Sequence, residues 1–351
     1  MEIISLEGIW KNKLESMSWP QQAIVRFNFN WAPTTLSSYN NIVCKLSDYC
    51  SYQNIVFPPT EASHVAGFLV ELTNNSDRPR SILKSASAAF TCLYDGLNMS
   101  DINPVSKNSD LRRLSNALVK TGTVLPRSKT PVMPVKPLND LFLSWDVNSA
   151  LNIKQLRQKS LALLAISLML RPSDVAPRSK KYSLETNSME TMLFKVNQIQ
   201  FHEDGSATLM LHGIKNDYMR DGFQIEMDKN EAQKLDPVSV IREYINRTSP
   251  QRSSDEDAVF LSLNAPYKPV SSTTVAKILN EVIDMAGLDS SLYTAKCFRP
   301  SGATKGIESN CNPDALRQVG RWRNREVFEA HYVHSKAQKG ISNKILETGD
   351  A

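Results

Sequence analysis

One stretch, MLFKVNQIQFHEDGSATLMLHGIKNDYMRDGFQIEM from Met192 to Met227, interrupts a helical spacing of apolar residues that otherwise runs along the chain. Within it the spacing becomes that of half-buried strands, whose side chains alternate between two faces. Three strands are predicted. The first two are joined by a Glu203-Asp204-Gly205 turn and the last two by a polar hairpin between Lys215 and Asp221,. The expected fold class is mainly α with one small antiparallel sheet.

Upstream, TTLSSYNNIVCKLSDYCSYQN, TEASHVAGFLVELTNN, RSILKSASAAFTCLYDGL and SDLRRLSNALVKT each place apolar residues three and four apart,. Pro33-Thr34-Thr35, Pro59-Thr60-Glu61 and Asn108-Ser109-Asp110 are start signals, where a hydroxyl or carboxylate can accept from free backbone N–H groups,. These four or five helices form an all-α domain over residues 1–125. Further helices are expected at LNDLFLSWDV, IKQLRQKSLALLAISLML, DPVSVIREYINRT, SSTTVAKILNEVIDMAG, PSGATKGIES, NPDALRQVGRW and REVFEAHYVHSKAQKG, within a second domain over residues 138–351. A chain of 351 residues is long enough for two such domains,.

The connector, residues 126–137, is rich in proline and part of a longer basic run. Residues 111–139 hold Arg112, Arg113, Lys120, Arg127, Lys129 and Lys136 and no acid. It reads as an extended basic linker, either a solvated connector or a surface for an anionic partner. The net charge of +5 suits such a partner without requiring one,. Five cysteines, an odd number with no CxxC pair, fit reduced thiols better than a disulfide framework or a zinc site,. No apolar run reaches eighteen residues, and the opening MEIISLEGIWKNKLE lacks a signal-peptide core,. A soluble intracellular protein without membrane partners is expected.

Glycine-rich phosphate loops, HExxH, paired catalytic carboxylates and GxSxG are absent from the sequence,. The remaining candidates are cationic. Arg171 follows an apolar helix end and precedes Pro-Ser-Asp, with Ser173 and Asp174 placed to cap the next segment,; a structural ion pair is its ordinary reading. Lys215 stands at a strand end entering a hairpin, where an exposed lysine is most often without function. Lys296 and Arg299 lie three apart just before a helix expected to start near Ser301, so both could converge on one anion at its N-terminus,. Trp322, His331, Tyr332 and His334 close the last helical region; a core tryptophan and surface histidines are the default.

In order, Arg171-Pro-Ser-Asp, the hairpin Lys215, Lys296-Cys-Phe-Arg299, Gly320-Arg-Trp322 and Tyr332-Val-His334 resemble the boxes of the tyrosine recombinase (phage integrase) family along most of the chain. The segment GRWRNREVFEAHYV is similar to recombinases of eukaryotic mobile elements of the Crypton and DIRS kinds. Two departures stand out. The second box begins with Lys296 rather than histidine, as in type IB topoisomerases, and Arg321 intervenes between Gly320 and Trp322.

The resemblance implies a helical core-binding (SAM-like) domain, the basic linker and a tyrosine-recombinase catalytic domain, which together clamp double-stranded DNA. It implies a site-specific recombinase or integrase that cuts and rejoins strands through a 3′-phosphotyrosyl intermediate, with neither metal, ATP nor another cofactor and no small-molecule substrate. Tyr332 is the implied nucleophile; Arg171 and Arg299 would grip the phosphate and Lys215 would protonate the leaving oxygen. Lys296 and Trp322 would assist, with Arg321 as the alternative to Trp322 and His334 as a possible accessory. The linker cations would hold the DNA backbone, and a homotetramer would form on two duplexes, in the nucleus for a eukaryotic element and otherwise in the host cytoplasm or nucleoid. The rivals are a type IB topoisomerase-like relaxing enzyme and a domesticated DNA-binding protein without catalysis.

Overall fold

Apolar residues at helical spacing collect into two separate cores, and the chain divides accordingly into compact units, residues 1–127 and 128–351. The computed structural model describes all residues except 1–4, 28–29, 75, 77, 122–129, 179, 184–187, 216, 218–220, 255–256 and 333–351.

The first unit is helical among its described residues: α1 (Leu6–Ser16), α2 (Gln21–Phe27), α3 (Pro33–Tyr52), α4 (Ala62–Asn74), α5 (Pro79–Gly96), the short α6 (Pro104–Lys107) and α7 (Ser109–Thr121). α5 is the centre, packed on α1, α3, α4 and α7. Ala86 and Ala89, both fully buried, let neighbouring helices approach it closely, and Phe90, Leu93 and Tyr94 fill the space between,. The buried Tyr94 hydroxyl donates to the Pro59 carbonyl, which satisfies the one polar group that side chain brings inside,. α1 and α2 were not among the expected helices. They are held by a tilted aromatic cluster of Trp10, Phe27 and Trp31 and by the Trp10 indole N–H donating to the Cys92 carbonyl at 3.1 Å. Of the expected start signals, α3 has Pro33 in its first turn and no side-chain cap. α7 is capped by the Asn108 amide oxygen, which accepts from Asp110 and Leu111 at 2.8 and 3.2 Å,.

The second unit contains α8 (Lys136–Ser144), α9 (Ile153–Ser167), α10 (Pro237–Arg247), α11 (Ser272–Met285), α12 (Phe298–Glu308), α13 (Pro313–Val319) and α14 (Arg325–Tyr332). α9 starts at a capping box, Asn152 with Gln155,. It runs through the middle of the unit against α10, α11 and α12. Because no face of α9 is free between Leu156 and Ala165, the polar residues of that stretch are buried too and reach partners outside the helix: Arg157 donates to the Leu261 carbonyl at 2.9 Å, Gln158 to Glu281 and Lys159 to Asn148 at the same distance,.

The predicted sheet is present as β3 (Ile199–Phe201), β4 (Ala207–Leu211) and β5 (Phe223–Met227), antiparallel, with Ile199 opposite Leu209 and Leu209 opposite Ile225. Ala207, Leu209 and Leu211 turn into the core while Thr208 and Met210 alternate outward, which is why this segment reads at period two,. Gly205, at φ +89°, makes the Glu203-Asp204-Gly205 turn possible,. The first strand is shorter than expected. Phe194 enters the core and Lys195 bridges Ala258, so the residues before Ile199 pair elsewhere. A further antiparallel ribbon, β1 (Lys180–Ser183) with β2 (Ser188–Thr191), was not expected.

The second half of the expected linker is not a free connector. Met133 is buried in the second unit's core and its N–H donates to Ser301 Oγ at 2.7 Å, while Lys136 and Pro137 form the first turn of α8. Pro137, one of the prolines that suggested an extended linker, serves here as a helix-start residue,.

Candidate functional site

The site begins where α9 ends. Met169 takes a left-handed conformation, φ +51°, so the chain turns sharply away and the Met169 carbonyl is left facing the start of α12 and the turn after α13,. Two arginines use that carbonyl: Arg299 through Nη1, and Arg321 through Nη2 at 3.2 Å. Arg299 also donates through Nη2 to the Gly320 carbonyl, and its guanidinium lies 4.0 Å from the centroid of the Trp322 ring. A planar fork with five N–H donors can make these contacts together, as a lysine could not.

Immediately after Met169, Arg171-Pro172-Ser173-Asp174 forms a short 3₁₀ turn. Asp174 caps its own turn rather than the next segment, its Oδ2 accepting from the Arg171 N–H at 2.9 Å. The same oxygen accepts from Arg321 Nη2 at 3.2 Å in an ion pair with no solvent exposure on the arginine side. The Asp174 carbonyl accepts from Arg178 Nη1 at 2.6 Å. Burial pushes Arg321 down to about 10; Asp174 opposes this and the Arg171 charge adds to it,. Burial likewise pushes Arg178 down to about 10, against the pull of Asp174 and Asp217. Arg171 itself is half-buried, and its Nη1 is shielded from water without a hydrogen-bond partner. A buried cationic donor without an acceptor is costly, so an anion that reached this atom would be favoured there.

Arg321 reaches Asp174 from an unusual backbone. It follows the C-cap Gly320 of α13 in the left-handed region, φ +58°, with its N–H on the Gln318 carbonyl and the Trp322 N–H on Arg317. That is a Schellman ending with arginine where glycine is preferred. Gly320 has its own reason: a Cβ there would run into the Trp322 ring. The ring also packs on Phe328 of α14 at 4.7 Å, and with Met169 and Ala303 the two form a small second core. α12 approaches α9 through Gly302, whose missing Cβ leaves room for the Ile166 carbonyl.

Of the expected residues, the structure brings Arg299, Arg321 and Trp322 together with the Arg171 turn. Lys215 is exposed at the start of its hairpin turn and Lys296 is exposed beside Arg299 in sequence. The pairing of Lys296 with Arg299 ahead of a helix is corrected. α12 starts at Phe298, so Arg299 lies in its first turn and is buried at 4% exposure, while Lys296 sits outside on a 3₁₀ turn, Ala295–Cys297. Pro300 suggested the later start, but proline is tolerated inside a first turn. What the structure changes is the helix start, Phe298 rather than a position near Ser301, so that Arg299 stands inside the first turn and Lys296 before it. The α14 backbone carries Tyr332 one turn beyond Phe328; the Tyr332 and His331 side chains, and His334, lie outside the described residues. In the first unit, Arg112, Arg113 and Lys120 are exposed on α7, with Arg113 3.4 Å from Asp110. Lys136 pairs with Asp140 at 2.6 Å, and Arg127 and Lys129 lie outside the described residues.

Sequence reasoning missed Arg178 and Asp217. Neither belongs to a spacing motif; the contact of a half-buried arginine with the Asp174 carbonyl and of an acid inside a polar hairpin with its ends is visible only once the chain is folded.

This mostly helical arrangement with a small three-stranded antiparallel sheet is the fold of the tyrosine recombinases and integrases. Among solved structures, the chain is similar to a XerH site-specific recombinase bound to a palindromic difH substrate in a post-cleavage complex (TM-score 0.60, 11% identity, 97% of this chain and 93% of that one). It is similar also to a Tn1549 transposon integrase in complex with circular intermediate DNA (TM-score 0.53, 13% identity, 97% and 99%) and to a lambda integrase dimer bound to a COC' core site (TM-score 0.50, 10% identity, 96% and 98%). No family model and no curated protein matches the chain.

Proposed function

We propose that the chain is a DNA strand transferase of the recombinase or integrase type. The observation that carries the reading is the orphaned Nη1 of Arg171, set beside two buried arginines that share the Met169 carbonyl. Such a cluster is suited to an anion whose oxygens accept from guanidinium forks, and a phosphodiester is one. DNA as partner is supported by the similar folds that were solved on DNA.

In the proposed reaction the Tyr332 oxygen attacks a backbone phosphorus and the P–O5′ bond breaks. The electron pair leaves with O5′, which takes a proton from Lys215 Nζ; the phenol proton passes to water, with Lys296 as a further cation beside the site. A phenol of ordinary pKa near 10 needs neighbouring cations to react as phenolate. Arg171 would hold the phosphate and offset charge growing on its oxygens. Arg299 would act beside it from a braced position, and Trp322 would keep that brace in place. A homotetramer on two duplexes and a nuclear or nucleoid location belong to the same proposal. The Crypton- and DIRS-like character of residues 320–333 rests on sequence alone.

A second reading, a DNA-binding protein that does not cut, is favoured by the burial of Arg299 and its commitment to two carbonyls. One experiment separates them. The full chain is incubated with fragmented DNA, denatured in detergent, and covalently attached DNA is recovered and sequenced. The recombinase reading expects 3′-linked adducts at a recurrent sequence, lost in Tyr332→Phe. Failure of a nicked duplex that the protein binds to give any adduct would leave the binding-only reading.

A further inference from the structure

The Lys215 hairpin has an internal fastening that the reaction scheme above does not use. Lys215 is the second residue of a turn that the Asp217 N–H closes onto the Ile214 carbonyl at 3.0 Å,. The Asp217 carboxylate then ties both ends of the loop: Oδ2 accepts from the Gly213 N–H at 2.6 Å and Oδ1 from the Gly222 N–H at 3.3 Å. Gly213 and Gly222 are in the left-handed region, φ +63° and +86°, where the loop leaves β4 and enters β5,. A Cβ at Gly222 would meet the His212 ring. Ile214 is buried in the unit's core, so the residue before Lys215 is anchored while Lys215 itself is exposed.

Asp217 also connects the loop to the arginine cluster. Its charge acts on Arg178, which donates to the Asp174 carbonyl at 2.6 Å; Asp174 in turn holds the Arg171 N–H and Arg321. The hydrogen bonds of Asp217 itself go to the loop, to Gly213 and Gly222, while the Arg171 segment is held by Asp174.

We infer that Asp217 is a positioning residue for Lys215, fixing the loop so that the ammonium stands ready for the departing 5′-oxygen. The inference rests on the proposed strand-transfer reaction and on Lys215 as its acid. Asp217 touches neither phosphate nor nucleophile in this scheme. Its effect should therefore be confined to the step that needs a proton.

That confinement supplies the test. A nicked duplex carrying the sequence recovered by covalent trapping is made in two forms, one with the ordinary 5′-oxygen at the scissile phosphate and one with sulfur in its place. A thiol ionises near 8.5, so a thiolate leaves without a proton, whereas an alkoxide requires one. Single-turnover adduct formation is measured for the wild-type full chain, Asp217→Ala, Asp217→Asn, Lys215→Ala and Arg171→Ala. On the oxygen duplex, Asp217→Ala should slow cleavage by about 100-fold, the lower end of the range for general-acid catalysis. Asp217→Asn, which keeps one acceptor, should fall between Asp217→Ala and wild type. On the sulfur duplex both Asp217 variants and Lys215→Ala should return to within about threefold of wild type, well inside the roughly 100-fold effect on oxygen, while Arg171→Ala should stay slow.

Equal loss on both duplexes for Asp217→Asn, or no loss on either for Asp217→Ala, overturns the inference while the reaction stands. Asp217→Asn keeps the test valid if the alanine variant does not fold. If the wild-type chain forms no adduct on either duplex, the strand-transfer reading falls and takes the inference with it.

Discussion

Arg321 and Asp174, both buried, meet at 3.2 Å between the turn after α13 and the turn after α9. The pair is held at a backbone cost, because Arg321 occupies a left-handed position that glycine fills more easily,. Arg321→Gly separates the two effects. It relaxes the backbone but leaves the Asp174 carboxylate buried without its cation. Removing one partner of a buried pair costs roughly 3–5 kcal/mol, against about 1 kcal/mol of left-handed strain. Denaturant unfolding of the full chain should show a net loss of at least about 2 kcal/mol; a variant as stable as wild type would mean that the pair contributes little.

Lys159 gives a dependence on pH. It is fully buried on α9, its ammonium donates to Asn148 rather than to an acid, and burial together with the Lys234 charge pushes it down to about 8 from 10.5,. Between those values the unfolded chain holds a proton that the folded chain has released. Unfolding free energy from this group therefore rises with pH from about 8 to 10.5, and the full penalty is present below 8,. The whole span corresponds to roughly 3 kcal/mol at 1.36 per unit. Lys159→Met should be more stable than wild type at pH 7, with a difference that shrinks as pH rises to 10; a difference independent of pH would exclude the charge as its cause.

Much of the second unit's plan was legible because its signals are local. The alternation in Ala207–Leu211 marks a strand with one buried face, and Gly205 marks its turn. β1 and β2 were missed because KKYS and SMET contain little apolar alternation to detect. Lys159, Arg157 and Gln158 illustrate a different limit. Three polar residues in a row read as solvent-facing, yet α9 is covered on every side between Leu156 and Ala165 and each of these side chains finds a partner outside the helix.

For the candidate site, the order of boxes carried Arg171, Arg299 and Trp322 to one region, since residues far apart in sequence gave the same resemblance. What the sequence could not show is which donors are already used. Arg299 is spent partly on the Met169 and Gly320 carbonyls, and those acceptors are main-chain atoms with no residue-type signature. Arg321, set aside as an alternative to Trp322, proves to be the partner of Asp174.

Gly302 controls the distance between α12 and α9. A Cβ there would overlap the Ile166 carbonyl, a backbone atom that cannot rotate away. Gly302→Ala should force the helices apart at a cost of about 1–3 kcal/mol, despite alanine's better helix propensity. Because α12 carries Arg299, adduct formation should fall in the folded fraction as well. A gain in thermal stability would show that the helices can separate freely.

Arg299 and Lys296 are three residues apart and should behave in opposite ways. The Arg299 fork spans two carbonyls and stacks on Trp322, while Lys296 is exposed on the preceding 3₁₀ turn. A lysine at 299 retains the charge but has a single nitrogen on a flexible stem, so it cannot bridge both carbonyls and lie flat on the indole. Arg299→Lys should therefore lower single-turnover adduct formation by about 100-fold, the scale of losing one preorganised donor to a transition-state oxyanion. It should also destabilise the fold by about 1–3 kcal/mol through donors and acceptors left unpaired. Lys296→Ala should leave stability within about 0.5 kcal/mol, as for other exposed side chains. If Arg299→Lys keeps wild-type adduct rates, charge alone suffices at this position and the bridging geometry is not required for the reaction.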